Sequence, residues 1–340
     1  MTIRPELSIV IPHYETPELT LACLESLLRW PPRMPYEILL IDNGSHEDFE
    51  NDVEKRFPGV RFIRNTVNKG FANACNLGIS NAPGSYIALL NSDTCLNENV
   101  FDPLVACLQA DPKIGAVGPR HVDGDGRFQL SCGKFPTLLS ELLRKILHYR
   151  LSIHDHKIRD YLDNRHSEIR EVDWVSGSCV VFRRASLAGA GLLDERFFMY
   201  FEDIDLCRRL QLAGWRIHFY PHVSLVHYGG RSAAKNLMRV YVEYRRSQLY
   251  FARKYYGSPG MVTIRFLLTM KYGLHALRVL PFFVFRRLRG LSVTESYTLL
   301  LLSKKVFLLT FDKVPTEPRV PPLSSGVRLP NAAREVLCSD

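Results

Sequence analysis

Tyr86-Ile87-Ala88-Leu89-Leu90-Asn91-Ser92-Asp93 decides how the rest of this chain is read. Its first five residues carry no charge, and so short an apolar run reads as a strand buried on both faces of a parallel sheet. A polar tripeptide at the C-terminal end of such a strand lies where open α/β sheets bind ligands. One carboxylate there would hold a divalent cation, which would grip the diphosphate of a nucleotide-activated substrate. The plainer reading is a strand followed by a capped turn, since Asn, Ser and Asp all hydrogen-bond locally at such positions.

The preceding sequence repeats the pattern. Leu7-Ser8-Ile9-Val10-Ile11 predicts a first strand, stopped by Pro12, which cannot donate to a ladder. A helix is predicted from about Glu18 to Arg29, with Leu19, Cys23, Leu24, Leu27 and Leu28 at helical spacing. Glu37 to Ile41 is a second strand ended by the turn signal Asp42-Asn43-Gly44-Ser45, and Val60 to Ile63 a third. Asn68-Lys69-Gly70 leads into a helix over Phe71–Ser80. Strands alternating with helices imply right-handed crossovers and a doubly wound sheet. Neither G-x-G-x-x-G nor G-x-x-x-x-G-K-[ST] follows these strands, so dinucleotide dehydrogenases and P-loop enzymes lose their main support. Three strand ends instead bring Pro12-His13-Tyr14-Glu15, Asp42-Asn43 and Asn91-Ser92-Asp93 to one rim.

A chain of 340 residues has room for one large catalytic domain with an appendage, or for two domains. Its eight cysteines are scattered without a C-x-x-C pair, which suits a reducing cytosol, and Met1–Glu6 has no signal-peptide character. The net charge of +9 is concentrated between Arg231 and Gly290, where thirteen Lys/Arg face one acid, Glu243. A basic module of this kind seeks phosphates of nucleic acid or of an anionic membrane.

Asp123-Gly124-Asp125-Gly126 is a hairpin signal. The charged stretch 144–171 reads as an insertion, and His154-Asp155-His156 within it as solvated rather than metal-binding. Trp174 to Phe182 predicts a strand containing Ser176-Gly177-Ser178, where small residues mark close approach of a ligand or backbone. Glu202, Asp203 and Asp205 follow an aromatic run, Phe197 to Phe201. They read both as first-turn acids of a helix and as catalytic carboxylates held rigid by it. Ile217 to Pro221 then precedes Val226-His227-Tyr228-Gly229-Gly230-Arg231-Ser232.

The ordered set Pro12-x-Tyr14, Asp42-Asn43-x-Ser45, Asn68-x-Gly70-Phe71-Ala72, Asn91-Ser92-Asp93, Ser176-Gly177-Ser178, Phe197-x-x-Tyr200-Phe201-Glu202-Asp203-x-Asp205-Leu206 and His227-x-x-Gly230 resembles the family 2 inverting glycosyltransferases. Within that family it is most similar to bacterial rhamnosyltransferases of O-antigen and cell-wall polysaccharide synthesis. The resemblance runs from about Leu7 to Ser232. It implies a GT-A fold, a Rossmann-like, mostly parallel α/β sheet flanked by helices over residues 1–232. A basic, amphipathic helical extension over 233–312 and a disordered tail over 313–340 complete the expected organisation.

The resemblance also implies site roles. Pro12, Tyr14 and Glu15 border the nucleotide, Asp42 accepts from the base N3–H, and Asn43, Lys69, Gly70 and Asn76 line the nucleotide side. Asn91-Ser92-Asp93 replaces the usual Asp-x-Asp, which leaves Asp93 and His227 as the ligands of Mg²⁺ or Mn²⁺, with Asn91 and Ser92 supporting the donor. In an inverting displacement an acceptor hydroxyl attacks one face of the anomeric carbon while the nucleoside diphosphate leaves the other. Asp203 matches the base, with Glu202 beside it, and the neighbouring aromatics are expected to raise its pKa by desolvation. The implied donor is dTDP-rhamnose, or alternatively a UDP-sugar (galactose, galactofuranose or N-acetylhexosamine). The implied acceptor is a saccharide on polyprenyl diphosphate.

From Met261 to Phe311 the chain is rich in Leu and Phe, but charges interrupt every run short of the roughly 20 apolar residues that a spanning helix needs. Lys271, His275 and Arg278 share one helix face, the pattern of a segment lying in a membrane interface. Peripheral attachment to the inner face of the cell membrane is the expectation, against a helical pair packing on protein. Two rivals fare worse. A nucleotidyltransferase would carry a Gly- and Lys-rich loop after the first strand, and a nucleic-acid binder leaves the acidic motifs unexplained.

Overall fold

A computed structural model describes residues 4–47, 49–137, 165–229, 237–289, 294–316 and 318. Most of the charged stretch 144–171, including His154-Asp155-His156, lies outside these residues, as do Arg231, Ser232 and nearly all of the tail. Two compact units form, one from Met1–Glu195 with Glu202–Ser232, the other from Arg196–Phe201 with Ala233–Arg319.

In the first unit, β1 (Leu7–His13), β2 (Tyr36–Asp42), β3 (Val60–Arg64) and β4 (Tyr86–Leu90) pair in parallel in the order β3-β2-β1-β4. They alternate with α1 (Pro17–Arg29), α2 (Glu50–Arg56) and α3 (Phe71–Asn81). Every residue of β1 and β4 is buried, as charge-free central strands require. Leu24 and Leu27 of α1 close over Ile9, Ile11, Leu40 and Leu90, all fully buried, and each such side chain contributes about 1.5–3 kcal/mol on leaving water.

Pro12 does not stop β1 as expected; the strand runs through it to His13. Asn43 N–H donates to His13 O (2.9 Å), so the polar groups of His13 face β2 and those of Pro12 face the other side. There the pairing with β4 ends at Val10, so the missing donor breaks no ladder bond.

The chain continues through β5 (Thr94–Leu96), α4 (Phe101–Ala110), β6 (Ile114–Val122), β7 (Phe128–Gln129), β8 (Cys132–Gly133), β9 (Arg170–Glu171), β10 (Trp174–Val175), β11 (Cys179–Arg183), α5 (Arg184–Ala190), α6 (Glu202–Leu212) and β12 (Arg216–His227). The sheet path is β3-β2-β1-β4-β11-β6-β12-β5. Only β11 and β5 oppose the other strands on it, so the sheet is mixed but mostly parallel. The predicted strand Trp174–Phe182 is two strands: Ser176-Gly177-Ser178 interrupts it, with the two serine hydroxyls 2.8 Å apart.

The second unit is helical. α7 (Leu237–Leu288) is broken at Gly257, whose φ of 65° lies outside any helix, and α8 (Thr294–Leu309) follows it. Leu249, Leu268, Tyr272, Val306 and Leu309 form its core. Phe197, Tyr200 and Phe201 stack on Tyr250, Tyr244 and Phe251 of α7 at 4.7, 5.6 and 5.4 Å between centroids. No helix among the described residues is long and apolar enough to cross a membrane.

Candidate active site

The parallel strands deliver their C-terminal ends to one rim. Asp42, 1% exposed, sits opposite His13 in the register. Its Oδ1 accepts Ser45 N–H (3.1 Å), while its Oδ2 is ion-paired with Arg64 Nε (3.0 Å) but receives no hydrogen bond. The turn that returns the chain from β2 needs Gly44: φ is 78°, and a Cβ would lie 2.5 Å from the Val67 carbonyl carbon. Glu15 also takes a left-handed conformation (φ 57°). Ser45 Oγ holds its N–H at 3.0 Å, and its Oε1 accepts His46 N–H at 2.9 Å, which ties the β1 and β2 ends together. Tyr14 lies half-buried beside it.

Asn43 has a supporting role. Its amide nitrogen donates to Asn68 Oδ1 and Gly70 O, both at 3.1 Å, and its oxygen accepts Asn65 Nδ2 (3.0 Å) and Lys69 N–H (3.2 Å). This holds the Asn68-Lys69-Gly70 loop at the rim, with the Lys69 side chain exposed. Asn76 acts likewise on another loop: its amide donates to Leu193 O (2.9 Å) and Glu195 Oε1 (3.1 Å) and accepts Leu193 N–H (3.0 Å).

At the end of β4 the tripeptide forms the expected turn. Thr94 N–H donates to Asn91 O (3.2 Å), closing a turn. That turn presents Ser92 and Asp93, 6% and 7% exposed, and buries Asn91 Oδ1 without a hydrogen-bond partner. Antiparallel pairing of β5 with β12 sets His227 opposite Thr94, and Tyr228 N–H donates to Asp93 O (3.0 Å). His227 Nε2 consequently lies 3.4 Å from Asp93 Oδ1. Its Nδ1 lies 2.7 Å from Gln129 Oε1. His121 packs edge-on against His227 at 5.8 Å, and burial first, then the His227 charge, pushes its pKa down to about 3, so its ring stays neutral.

Ser176-Gly177-Ser178 links this pair to the acids of α6. Ser178 O accepts Asn91 N–H (2.8 Å), and Ser178 Oγ lies 3.2 Å from His121 Nδ1. On the other side Gly177 N–H donates to Asp203 Oδ2 (3.0 Å). The three acids differ sharply. Asp205 is fully buried and structural: Arg209 Nε pairs with it at 2.9 Å, while the same guanidinium holds Leu192 O at 2.6 Å. Glu202 is 5% exposed, and burial first, then the charge of Asp203, pushes its carboxyl well above the ordinary range. Asp203 is half-buried, its oxygens held by Gly177 N–H and Ile204 N–H (2.8 Å). α6 begins after two consecutive left-handed residues, Tyr200 (φ 66°) and Phe201 (φ 70°), a strained start of the kind found at functional sites.

Sequence reasoning missed Gln129, His121 and Arg64. Each earns its place through pairing between distant strands, and only the hairpin signal at Asp123–Gly126 pointed toward the first two.

The site thus gathers a carboxylate–histidine pair at the β4 end and a held Asp at a helix start on a mostly parallel sheet of the GT-A type. The model of glycosyl transferase family 2 matches residues 8–188, and the chain belongs to that family. It is 29% identical over 213 residues to the N-acetylglucosaminyl-diphospho-decaprenol L-rhamnosyltransferase of Mycobacterium tuberculosis, covering 59% of this chain and 69% of that protein. It is 28% identical over 230 residues to the rhamnosyltransferase WbbL of Escherichia coli K12, covering 64% and 83%. The mannosyltransferase PcManGT of Pyrobaculum calidifontis, solved with GDP-Man and Mn²⁺, shares the fold at a TM-score of 0.52 and 16% identity over 92% of this chain and 89% of that one. GalNAc-T7, solved with UDP, GalNAc and Mn²⁺, does so at 0.50 and 19% identity; the match covers 65% of this chain but 42% of the other.

Proposed function

We propose that this chain transfers L-rhamnose from dTDP-rhamnose, with inversion, to a hydroxyl of a saccharide carried on polyprenyl diphosphate in cell-surface polysaccharide synthesis. The observation that carries the reading is the Asp93–His227 pair, 3.4 Å apart at the β4 end and joined by the Ser176–Ser178 strap to Asp203. The similarity to two rhamnosyltransferases, one named for a decaprenyl-diphosphate acceptor, favours this sugar and acceptor over UDP-sugar chemistry.

The donor set suits Mg²⁺ or Mn²⁺: one hard carboxylate oxygen and one imidazole nitrogen converge. Among the described residues no three His, Cys, Asp or Glu side chains cluster, so the remaining ligands would be diphosphate and water oxygens. Such an ion would neutralise charge on the leaving diphosphate. Asp42 Oδ2, free of any hydrogen bond, is suited to the base N3–H, and the buried Asn91 Oδ1 to a donor hydroxyl. Asp203 would take the proton of the attacking hydroxyl, with Gly177 N–H fixing the orientation of its carboxylate.

The second unit supports attachment to the inner face of the cell membrane. Val262, Phe266, Met270, Leu274 and Leu277 are exposed at three- and four-residue spacing along α7, flanked by Arg265, Lys271 and Arg278.

The reading is tested by thermal unfolding with nucleotide. At 100-fold excess over its dissociation constant, dTDP with Mn²⁺ should stabilise the protein by about 2.7 kcal/mol, and EDTA should remove the effect. If neither dTDP nor UDP shifts the transition, the reading fails.

A further inference from the structure

The hairpin turn Asp123–Gly126 lends no side chain to the rim, yet its geometry is tightly specified. Asp123 Oδ1 accepts the N–H groups of Asp125 and Arg127, both at 2.9 Å, and Gly126 supplies a φ of 75°. The resulting register sets Gln129 of β7 opposite His121 of β6. From there its amide reaches His227, with Oε1 2.7 Å from Nδ1.

A carbonyl oxygen can only accept, so the bond requires the proton on Nδ1. In a neutral ring Nε2 then carries the lone pair, and Nε2 is the atom 3.4 Å from Asp93 Oδ1. A lone pair facing a carboxylate is unfavourable by itself, because neither atom donates. A divalent cation between them satisfies both. The opposite tautomer would put the proton on Nε2, convert the pair to a hydrogen bond and close the position to metal.

We propose that Gln129 is a positioning residue that locks His227 in the Nδ1–H tautomer and so keeps Nε2 available, with Asp93, to a divalent cation. The proposal rests on the metal reading given above, but the tautomer is measurable without metal. Outer partners of metal-bound histidines typically govern affinity by 10–100-fold.

The test uses the full chain, labelled with ¹⁵N-histidine, with His227 assigned by its loss in His227→Ala. Metal-free wild type should show the Nδ1–H pattern, and Gln129→Leu should lose it in favour of Nε2–H. Binding of Mn²⁺ in the presence of dTDP, followed by the signal of the free ion in electron paramagnetic resonance, should weaken by on the order of 10–100-fold in Gln129→Leu. Gln129→Glu, which keeps an acceptor at the same place, should restore both. A wild-type His227 protonated on Nε2 overturns the proposal, as does a Gln129→Leu protein with wild-type tautomer and Mn²⁺ affinity. A Gln129-dependent Nδ1–H tautomer in a protein that binds no Mn²⁺ supports the lock and sinks the metal reading, which separates the two failures.

Discussion

Replacing Asp203 by Asn changes one oxygen to an amide nitrogen and nothing else in shape. The carboxylate accepts Gly177 N–H at 3.0 Å and Ile204 N–H at 2.8 Å. An amide has one acceptor, so one of these bonds is lost, at about 0.5–1.5 kcal/mol. For a unit of this size that lowers the melting temperature by a few degrees, at about 2–4 °C per kcal/mol. The loss of a general base is larger: roughly 10²–10⁴-fold in turnover, or about 2.7–5.5 kcal/mol of barrier. The two effects are therefore separable in one preparation. Sugar transfer is followed as product on a lipid-linked acceptor, and donor binding by titration with the nucleotide. The expected outcome is a folded protein with nearly wild-type donor affinity and turnover reduced at least 100-fold. Turnover within about tenfold of wild type would remove Asp203 from the mechanism and shift the base to Glu202.

Breaking the buried Asp205–Arg209 pair with Arg209→Met should destabilise by about 3–5 kcal/mol, seen in denaturant unfolding, because it removes the guanidinium that pairs with Asp205 at 0% exposure and also holds the Ala190, Gly191 and Leu192 carbonyls. Glu202 gives a pH dependence of defined sign. Its folded pKa is raised, by burial and then by Asp203 and Asp205, so its contribution is full below the ordinary glutamate range and is lost as pH rises toward the folded value. Glu202→Gln should flatten that decline with rising pH in a pH series of unfolding curves. Sedimentation with anionic vesicles should deplete the protein from solution, and Phe266→Asp with Leu277→Asp should abolish this; recovery of wild type wholly in the supernatant counts against membrane attachment.

The parallel half of the sheet was legible because its central strands, β1 and β4, are buried on both faces, and a run such as Tyr86–Leu90 admits little else. β12 was not: Pro221 divides its sequence, and only a register shift against β6 between Tyr220 and Ser224 carries the strand past it. Ser176–Ser178 was recognised as a place of close approach, but not as a break, because the break depends on a hydroxyl pair and on the Gly177–Asp203 bond. Asp42, Asp93, Asp203 and His227 stood out as polar residues at strand or helix ends. Asn43 was read from the turn after β2 and Asn76 only from the resemblance, and that their amides hold loops depends on partners far away in sequence. Gln129 was invisible because its meaning lies in β6, β7 and β12 meeting. The rings of the aromatics before Glu202 stack on α7, and the carboxyl that burial shifts upward beside Asp203 is that of Glu202, contacts that only the folded chain brings together.

The central claim is metal-dependent transfer from one nucleotide-activated sugar. The measurement that tests it most directly is a donor screen with dTDP-rhamnose, UDP-galactose and UDP-N-acetylglucosamine against a polyprenyl-diphosphate-linked N-acetylglucosamine acceptor, with Mn²⁺ or with EDTA. Transfer from dTDP-rhamnose alone, abolished by EDTA and by Asp93→Asn, is the predicted result. Transfer undiminished by chelation, or from none of these donors, would contradict it.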